Sequence, residues 1–353
     1  MRVSKDIPGQ ISITILKIAS RLMKERNLNI EVLRCVLMML ITFGHCCGHG
    51  AFADEKSVLV AGATTTFSVN AFAFISGWYS VKLSFDRLLR FLGYGLFAFV
   101  VVNIVSFVNG SGFVPFTMGW YGNAYFVVML LAPYINAGLD SIYERGGWRA
   151  AVKVVALYIG FMFVMWLPLK YWGINIKCGF GGHTAPLLIG VYLLARVSRL
   201  TNLIEKIRVK WAYLGVVVCE IILIGWSALG RIIGGPISHV KMWDYQSPVL
   251  ILCAVFVFTI FYRARFPLLV QKLAKFCAPS MFMIYLLHDG QGGGGVISSI
   301  YSSLELILVN NYGVPTIISI VITTVIVFFV CLTIDMLRRL VLYTYDKNKS
   351  RER

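Results

Sequence analysis

Apolar residues follow one another in about ten runs along this chain, and only short polar segments separate the runs. Most runs come near the roughly 20 residues that an α-helix needs to cross the hydrocarbon core of a bilayer. The spans predicted from the runs are 30–47, 57–79, 90–109, 120–140, 150–168, 183–198, 211–229, 247–263, 277–290 and 313–337. The pattern therefore predicts an all-α polytopic membrane protein with about ten transmembrane helices.

The composition argues against an ordinary soluble domain. Of the 353 residues, 58% are hydrophobic and 14% are charged, and the mean hydropathy is +0.76. Soluble globular domains usually carry about 25% charged residues. We divide the chain into a basic amphipathic segment at 1–28, a transmembrane domain at 29–338 and a basic tail at 339–353. The first segment lacks the cleavage site of a signal peptide, and we expect it to lie on the inner membrane surface.

The net charge of +17 would suit a nucleic-acid partner, but its distribution follows the membrane instead. With both termini cytoplasmic, 27 Lys and Arg residues fall on the inner side and five on the outer side, and Arg34 lies within the first span. An excess of basic residues in cytoplasmic loops is what the positive-inside rule describes. We therefore predict cytoplasmic termini in a cell membrane, with the lipid bilayer and no nucleic acid as partner.

The first span contains an arginine and a histidine, Arg34 and His45, in an otherwise apolar helix. They are 11 residues apart, which at 100° per residue places them on one face, roughly 16 Å apart along the axis. An ionisable group in hydrocarbon costs about 2.5–3.5 kcal/mol, so this face should meet a protein interior or a wet cavity. In the alternative, Arg34 reaches the inner headgroups and His45 lies at the outer interface.

Polar side chains also mark the second span and the segment after it. Asn70 carries an amide whose four hydrogen-bonding positions must be satisfied, whereas hydroxyls such as that of Ser76 often only join helices. Arg87 and Arg90 are three residues apart on one helix face, which suits a clamp for the phosphates of a cytosolic ligand. Ordinary positive-inside charge is the alternative for these two arginines.

The five histidines all fall in the outer half of the predicted topology. Near the end of the ninth span, Tyr285 and His288 are three residues apart and share a face, which makes them, with Asn70 and Ser76, candidates for substrate binding; an interfacial histidine is the alternative. The stretch "HCCGH" at 45–49 resembles metal-ligand chemistry. Adjacent cysteines diverge by about 100° on a helix and no second Cys/His pair has ligand spacing, so we predict no metal site.

Several motifs occur in a fixed order from about residue 28 to residue 337, and together they resemble the membrane acyltransferase-3 family. They are "NIEVLR" with R-x(10)-H at Arg34 and His45, "VNAFAFISGW" at 69–78, R-x-x-R at Arg87 and Arg90, "WYGNAYFVVMLLAPYIN" at 120–136 and "APSMFMIYLLHDG" at 278–290. The resemblance implies transfer of an acyl group, usually acetyl, from cytosolic acyl-CoA to a hydroxyl of a cell-envelope glycan or a lipid-linked sugar. It implies no permanently bound cofactor.

The resemblance also implies roles for individual residues. His45 would be the essential histidine, Arg34 its companion, Ser76 with Gly77 a helix-end element, and Arg87 with Arg90 a contributor to the CoA side. Many relatives have an aspartate where Asn70 stands here, so a charged partner for His45 is not expected from that position.

Acyl transfer to an alcohol requires a group that removes the hydroxyl proton, and a neutral imidazole suits that task. We therefore assign His45 as general base, with a transient acyl-histidine as the variant, and leave the role of Arg34 open. A transporter or flippase is the competing class, because polar residues in spans would also suit a substrate path. A membrane sensor without enzymatic activity is a third.

Overall fold

The computed structural model describes residues 27–172, 182–235, 240–290 and 296–351. Within these ranges the chain is helical and has no strand, as the apolar pattern predicts. The α-helices are α1 Leu28–His49, α2 Lys56–Ala63, α3 Phe67–Tyr79, α4 Phe85–Val108, α5 Gly119–Tyr171, α6 Ala185–Leu200, α7 Leu203–Lys206, α8 Val209–Ile233, α9 Pro248–Arg263, α10 Leu268–Cys277, α11 Met281–Tyr285, α12 Val296–Tyr312 and α13 Thr316–Arg351. The amphipathic segment predicted at 1–28 and the histidine at 239 fall outside the described residues, apart from positions 27 and 28.

Six helical stretches of the described ranges are long and apolar enough to cross a membrane, fewer than the ten spans of the sequence prediction. They are Leu28–His49, Lys56–Tyr79, Phe85–Val108, Gly119–Leu167, Val209–Gly230 and Thr316–Leu342. The difference arises partly because Pro248–Arg263 is a shorter apolar helix, and partly because the single stretch Gly119–Leu167 contains two of the predicted spans, which meet at a kink. The membrane character itself is confirmed.

This stretch belongs to α5, and its 49 residues are more than twice the roughly 20 residues of one crossing. Gly147 interrupts the helical geometry with φ 65° and ψ −168°. Only a residue without a Cβ adopts this conformation readily. The interruption separates the predicted spans 120–140 and 150–168, which occupy the two arms of α5.

The span predicted at 277–290 does not form a single helix. It contains the 3₁₀ turn Ala278–Ser280, the short helix α11 and the π-helical turn Leu286–Gly290. Pro279 lies in the 3₁₀ turn, where its missing N–H would interrupt a regular α-helix. The helix that follows, α12, was not predicted, because serines and Glu305 lower its hydropathy; the structure buries the Glu305 side chain completely.

Helix α1 lies at the centre of the bundle, where it packs against α2, α3, α9, α10, α11, α12 and α13. Its first turn is fixed by Asn27, whose side chain accepts a hydrogen bond from the Asn29 N–H. The side-chain amide of Asn29 donates to the Ala264 carbonyl at 2.6 Å. After the helix ends, the Ala51 N–H donates to the Glu305 carboxylate at 2.8 Å. Both ends of α1 are therefore tied to other helices, which holds Arg34 and His45 in register with the bundle.

Gly77 sets the close approach of α3 and α6. A Cβ at this position would overlap the Tyr192 backbone and lie 2.9 Å from the Ala195 Cβ. Small residues allow helix backbones to meet in this way inside a membrane. The contact orients the preceding residue, Ser76, toward the interior of the bundle.

Candidate active site

A cavity of about 280 Å³ runs along one face of α1. The helix contributes Arg34, Met38, Ile41 and His45, whose spacing of four, three and four residues is that of a single helix face. Aromatic side chains form much of the opposite wall: Phe72, Phe91, Tyr94, Trp120, Tyr121, Tyr125, Tyr245, Phe282 and Tyr285. Arg34 and His45 thus face the same internal space.

Arg34 lies at the N-terminal end of α1 and is held by Glu31, one turn earlier. The guanidinium and the carboxylate are 3.4 Å apart, and the Glu31 side chain is nearly buried. A carboxylate at this distance offsets part of the cost of placing a guanidinium inside the bundle. It also leaves most of the five guanidinium N–H groups available toward the cavity.

His45 lies at the other end of the cavity and is oriented by His288. The His288 Nδ1 atom is 2.6 Å from the Ile284 carbonyl, which can only accept, so Nδ1 carries the proton. In a neutral ring the His288 Nε2 atom is then an acceptor, and it lies 2.9 Å from His45 Nδ1. His45 therefore donates through Nδ1 and keeps a lone pair on Nε2. That lone pair is available to accept a proton.

The π-helical turn also brings a carboxylate to His45. Asp289 Oδ2 lies 3.4 Å from His45 Nε2, and its Oδ1 lies 4.0 Å from His49 Nε2. In an α-helix adjacent residues diverge by about 100°, whereas a π-helical turn has a different angular spacing. Here His288 and Asp289, neighbours in sequence, each contact a different nitrogen of the same imidazole. Sequence reasoning missed Asp289; its position next to a candidate histidine was the available signal.

Helix α12 stabilises this π-helical turn through a hydrogen bond. The Tyr301 hydroxyl donates to the His288 carbonyl at 2.7 Å, and both residues are buried. One turn later on the same helix, Glu305 accepts the hydrogen bond from Ala51 just beyond α1. One helix thus holds both polypeptide segments that carry the two histidines. Neither Tyr301 nor Glu305 was a sequence candidate.

The other candidates for substrate binding have different positions relative to the cavity. Ser76 and Tyr285 line it. The Ser76 hydroxyl donates to the Phe72 carbonyl at 3.0 Å, and the Tyr285 ring stands edge-on to His288 at 6.3 Å. Asn70 does not line the cavity; its amide donates to the Tyr245 carbonyl at 2.9 Å and so supports the wall.

The two arginines after the second predicted span have separate surroundings. Arg87 donates to the Lys82 carbonyl at 2.6 Å. Arg90 lines a second, larger cavity of about 920 Å³ together with Arg338 and Arg339 of α13. The structure therefore brings Arg90, but not Arg87, to a cavity with other arginines.

In the described part of the chain, no group of three or more His, Cys, Asp or Glu side chains is arranged to hold a metal ion. Cys46 and Cys47, the cysteines of the "HCCGH" stretch, are free thiols buried in the bundle. Cys46 lies near Glu305 of α12 and Thr324 of α13, and Cys47 packs beside Gly62 of α2.

Comparison with known families gives one assignment. The model of the acyltransferase-3 family, described as an acyltransferase domain, matches residues 27–336. This match contains α1, the π-helical turn, α12 and every cavity-lining residue named for the first cavity. No curated protein and no solved structure matches the chain.

Proposed function

The chain belongs to the acyltransferase-3 family and is a membrane acyltransferase, and we propose that it transfers an acetyl group from cytosolic acetyl-CoA to a hydroxyl of a cell-surface or lipid-linked glycan. The observation that supports this most directly is the arrangement of His45. Its Nε2 lone pair is next to a carboxylate, while its Nδ1 is held by a second, buried histidine. The contact with His288 holds the ring by Nδ1 and leaves Nε2 as the basic nitrogen, which is the orientation that a general base requires.

In the proposed reaction the acceptor hydroxyl gives its proton to His45 Nε2 as its oxygen attacks the thioester carbonyl. The resulting imidazolium is stabilised by Asp289, 3.4 Å away. Collapse of the tetrahedral intermediate breaks the C–S bond, and the leaving CoA thiolate takes the proton from His45. The products are the acetyl ester and CoA thiol, and His45 returns to its starting state.

Arg34 would act on the donor rather than on the acceptor. It lines the same cavity as His45 but at the opposite end of α1, so a linear ligand passing along the cavity meets both. The pantetheine arm of CoA is linear and carries two amides, and a guanidinium donates to carbonyl oxygens of this kind. We therefore propose that Arg34 contacts an amide carbonyl of the pantetheine arm, some distance from the thioester at His45.

The proposed orientation in the cell membrane has about ten spans and both termini in the cytoplasm, with donor and acceptor entering from opposite faces. The asymmetry of 27 basic residues against five supports this topology. The N-terminal end of α1, with Arg34, then faces the cytosolic donor, and the His45 end faces the acceptor. Tyr285 and His288 would shape the acceptor side, Ser76 lines the cavity nearer its cytoplasmic end, and Asn70 supports the wall.

The test is acetyl-CoA binding and acetyl transfer by the purified protein, measured for the parent, His45→Ala and His49→Ala. His49→Ala is a matched control. It removes an imidazole from the same end of α1, and His49 does not line the cavity. We expect His45→Ala to bind donor normally and to lose transfer, and His49→Ala to retain most of it. A folded parent that neither binds nor consumes acetyl-CoA would instead support the transporter or flippase interpretation.

A further inference from the structure

The proposed reaction places a negative charge on the thioester carbonyl oxygen beside His45, and Arg34 is too distant to meet it. The two residues are 11 positions apart on one helix, which is roughly 16 Å along its axis. We propose that the Tyr285 hydroxyl, set against the N-terminus of α5, donates the hydrogen bond that stabilises this oxyanion. The inference rests on the proposed function and assigns a further catalytic residue to the same reaction.

The Tyr285 hydroxyl is a buried donor that lacks a hydrogen-bond partner. The residue is 5% exposed, and its phenol oxygen makes no hydrogen bond of standard geometry. Among the described residues that line the cavity along α1, no other side chain has a buried polar atom in this state. A buried donor without a partner destabilises the folded protein. A substrate oxygen that accepts its hydrogen bond would satisfy it.

Neighbouring rings hold the Tyr285 side chain in place. Its ring stands edge-on to Tyr121 at 5.9 Å and to His288 at 6.3 Å, and the Phe282 ring lies 6.1 Å away. The phenol oxygen is therefore positioned before any substrate binds. A donor that is oriented in advance stabilises developing charge without reorganising during the reaction.

The first turn of α5 faces the phenol oxygen. The Thr117 hydroxyl accepts from the Gly119 N–H at 3.1 Å and fixes where this helix begins. The N–H groups of Tyr121 and Gly122 lie next to the Tyr285 oxygen. The N-terminus of a helix carries partial positive charge. N–H groups directed at a phenol oxygen polarise its O–H bond and strengthen the hydrogen bond that the hydroxyl gives.

The hydroxyl and the general base lie at the same end of the cavity. Tyr121 and Tyr285 line it together with His45. Helix α5 also packs against the π-helical turn that carries His288 and Asp289. A thioester carbonyl placed between base and hydroxyl would direct its oxygen to Tyr285 and receive the acceptor oxygen from the side of His45.

The Tyr285 hydroxyl keeps its proton throughout the proposed step. As the acceptor oxygen bonds to the carbonyl carbon, the π electron pair of the C=O bond moves onto the oxygen that Tyr285 contacts. When the C–S bond breaks, this pair re-forms the C=O bond, and His45 gives its proton to the thiolate. The nearby Asp289 carboxylate would oppose the oxyanion, but the imidazolium formed 3.4 Å from it in the same step offsets its charge.

The experiment compares Tyr285→Phe with the parent as full chains in nanodiscs, with Tyr158→Phe as matched control. The Tyr158 hydroxyl donates to the Pro186 carbonyl at 2.9 Å, and Tyr158 does not line the cavity. The measurements are kcat for acetyl transfer, the thermal midpoint, and the dissociation constants of two ligands. The ligands are acetyl-CoA and its trifluoromethyl ketone analogue, whose hydrate is tetrahedral at the reacting carbon.

We expect Tyr285→Phe to lower kcat by about 10²-fold, the lower end for one oxyanion donor, because the N–H groups of α5 remain. Affinity for the analogue should fall by about tenfold or more, and affinity for acetyl-CoA should stay within about threefold, since the charge develops only in the transition state. The thermal midpoint should not fall, because the hydroxyl has no partner to lose. Tyr158→Phe should match the parent in kcat and in both affinities.

A parent-like kcat in folded Tyr285→Phe would overturn the inference and leave the proposed function intact. A Tyr285→Phe protein that unfolds would make the hydroxyl a structural cap of α5 and also overturn the inference. The same holds for a lower thermal midpoint with an unchanged ratio of the two affinities. If the folded parent neither binds acetyl-CoA nor transfers acetyl, the proposed function fails and the inference fails with it.

Discussion

The cavity at His45 and the larger cavity at Arg90 differ in how their charged groups are paired. Around His45, the ionisable side chains contact one another and the backbone: the Ile284 carbonyl and the Tyr301 hydroxyl hold His288, and Asp289 lies between two imidazoles. Around Arg90 and Arg339, positive charge exceeds the carboxylate paired there, that of Asp335. A cluster of oriented imidazoles and a carboxylate suits a step that moves a proton, whereas unbalanced charge suits binding of a ligand that brings its own countercharge. Variants at the His45 cavity should therefore change kcat, and variants at the larger cavity should change donor affinity.

After the loss of His45 itself, the largest effect at the His45 end is expected from His288→Ala. This variant removes the acceptor for His45 Nδ1, so the proton is no longer held on that nitrogen and the ring is free to rotate. Transfer should fall by about 10²-fold or more, which is the scale of general-base contributions. The measurement is kcat for acetyl transfer at saturating donor.

His288→Gln separates positioning from folding. Its side-chain oxygen is able to accept the same hydrogen bond, so part of the lost kcat should return while donor affinity stays that of the parent. Equal activity of His288→Ala and the parent would contradict the assigned role.

A smaller loss is expected from Asp289→Asn, which keeps the shape of the side chain and removes its charge. The imidazolium formed during transfer then lacks its carboxylate, a charge-assisted contact of about 1.5–3 kcal/mol, or roughly 10- to 150-fold in kcat. Asp54→Asn is the matched control, because Asp54 is an exposed acid beyond the same end of α1. An unchanged kcat in Asp289→Asn would mean that the carboxylate does not face the charged imidazole during the reaction.

Tyr301→Phe should have a moderate effect on two measurements. It removes the hydrogen bond to the His288 carbonyl and so destabilises the folded protein by about 1 kcal/mol, seen as a lower thermal midpoint. Because the same contact fixes the π-helical turn, kcat should also fall, by less than in Asp289→Asn. A change in stability with kcat intact would restrict α12 to a structural role.

Ser76→Ala is expected to have the smallest effect. The Ser76 hydroxyl already donates to the Phe72 carbonyl within its own helix, and its contact with the Tyr125 hydroxyl is long, at 3.4 Å. We expect kcat and donor affinity within about threefold of the parent. A loss comparable to that of Asp289→Asn would show that Ser76 contacts the substrate directly.

Much of the bundle was predictable because long apolar runs form helices in a bilayer whatever their neighbours are. The shared face of Arg34 and His45 follows from helical periodicity in the same way. Helix α12 and the broken segment at 277–290 were not predictable from hydropathy, because a buried Glu305 and a proline turn are stabilised by partners distant in sequence. The i, i+3 spacing of Arg87 and Arg90 likewise did not indicate that their surroundings differ: Arg87 donates to the Lys82 carbonyl, and Arg90 lines the cavity with Arg338 and Arg339.

By itself, the sequence determined the helical class, the membrane environment, the family and the face of α1 that carries Arg34 and His45, since each depends on composition or on spacing along one helix. Only the tertiary structure decided that His288 and Asp289 meet the two nitrogens of His45, and that Arg90 joins Arg338 and Arg339. These contacts connect residues more than 240 positions apart. Such pairings are set by how helices pack and turn, and local sequence carries no record of which distant side chain will lie opposite.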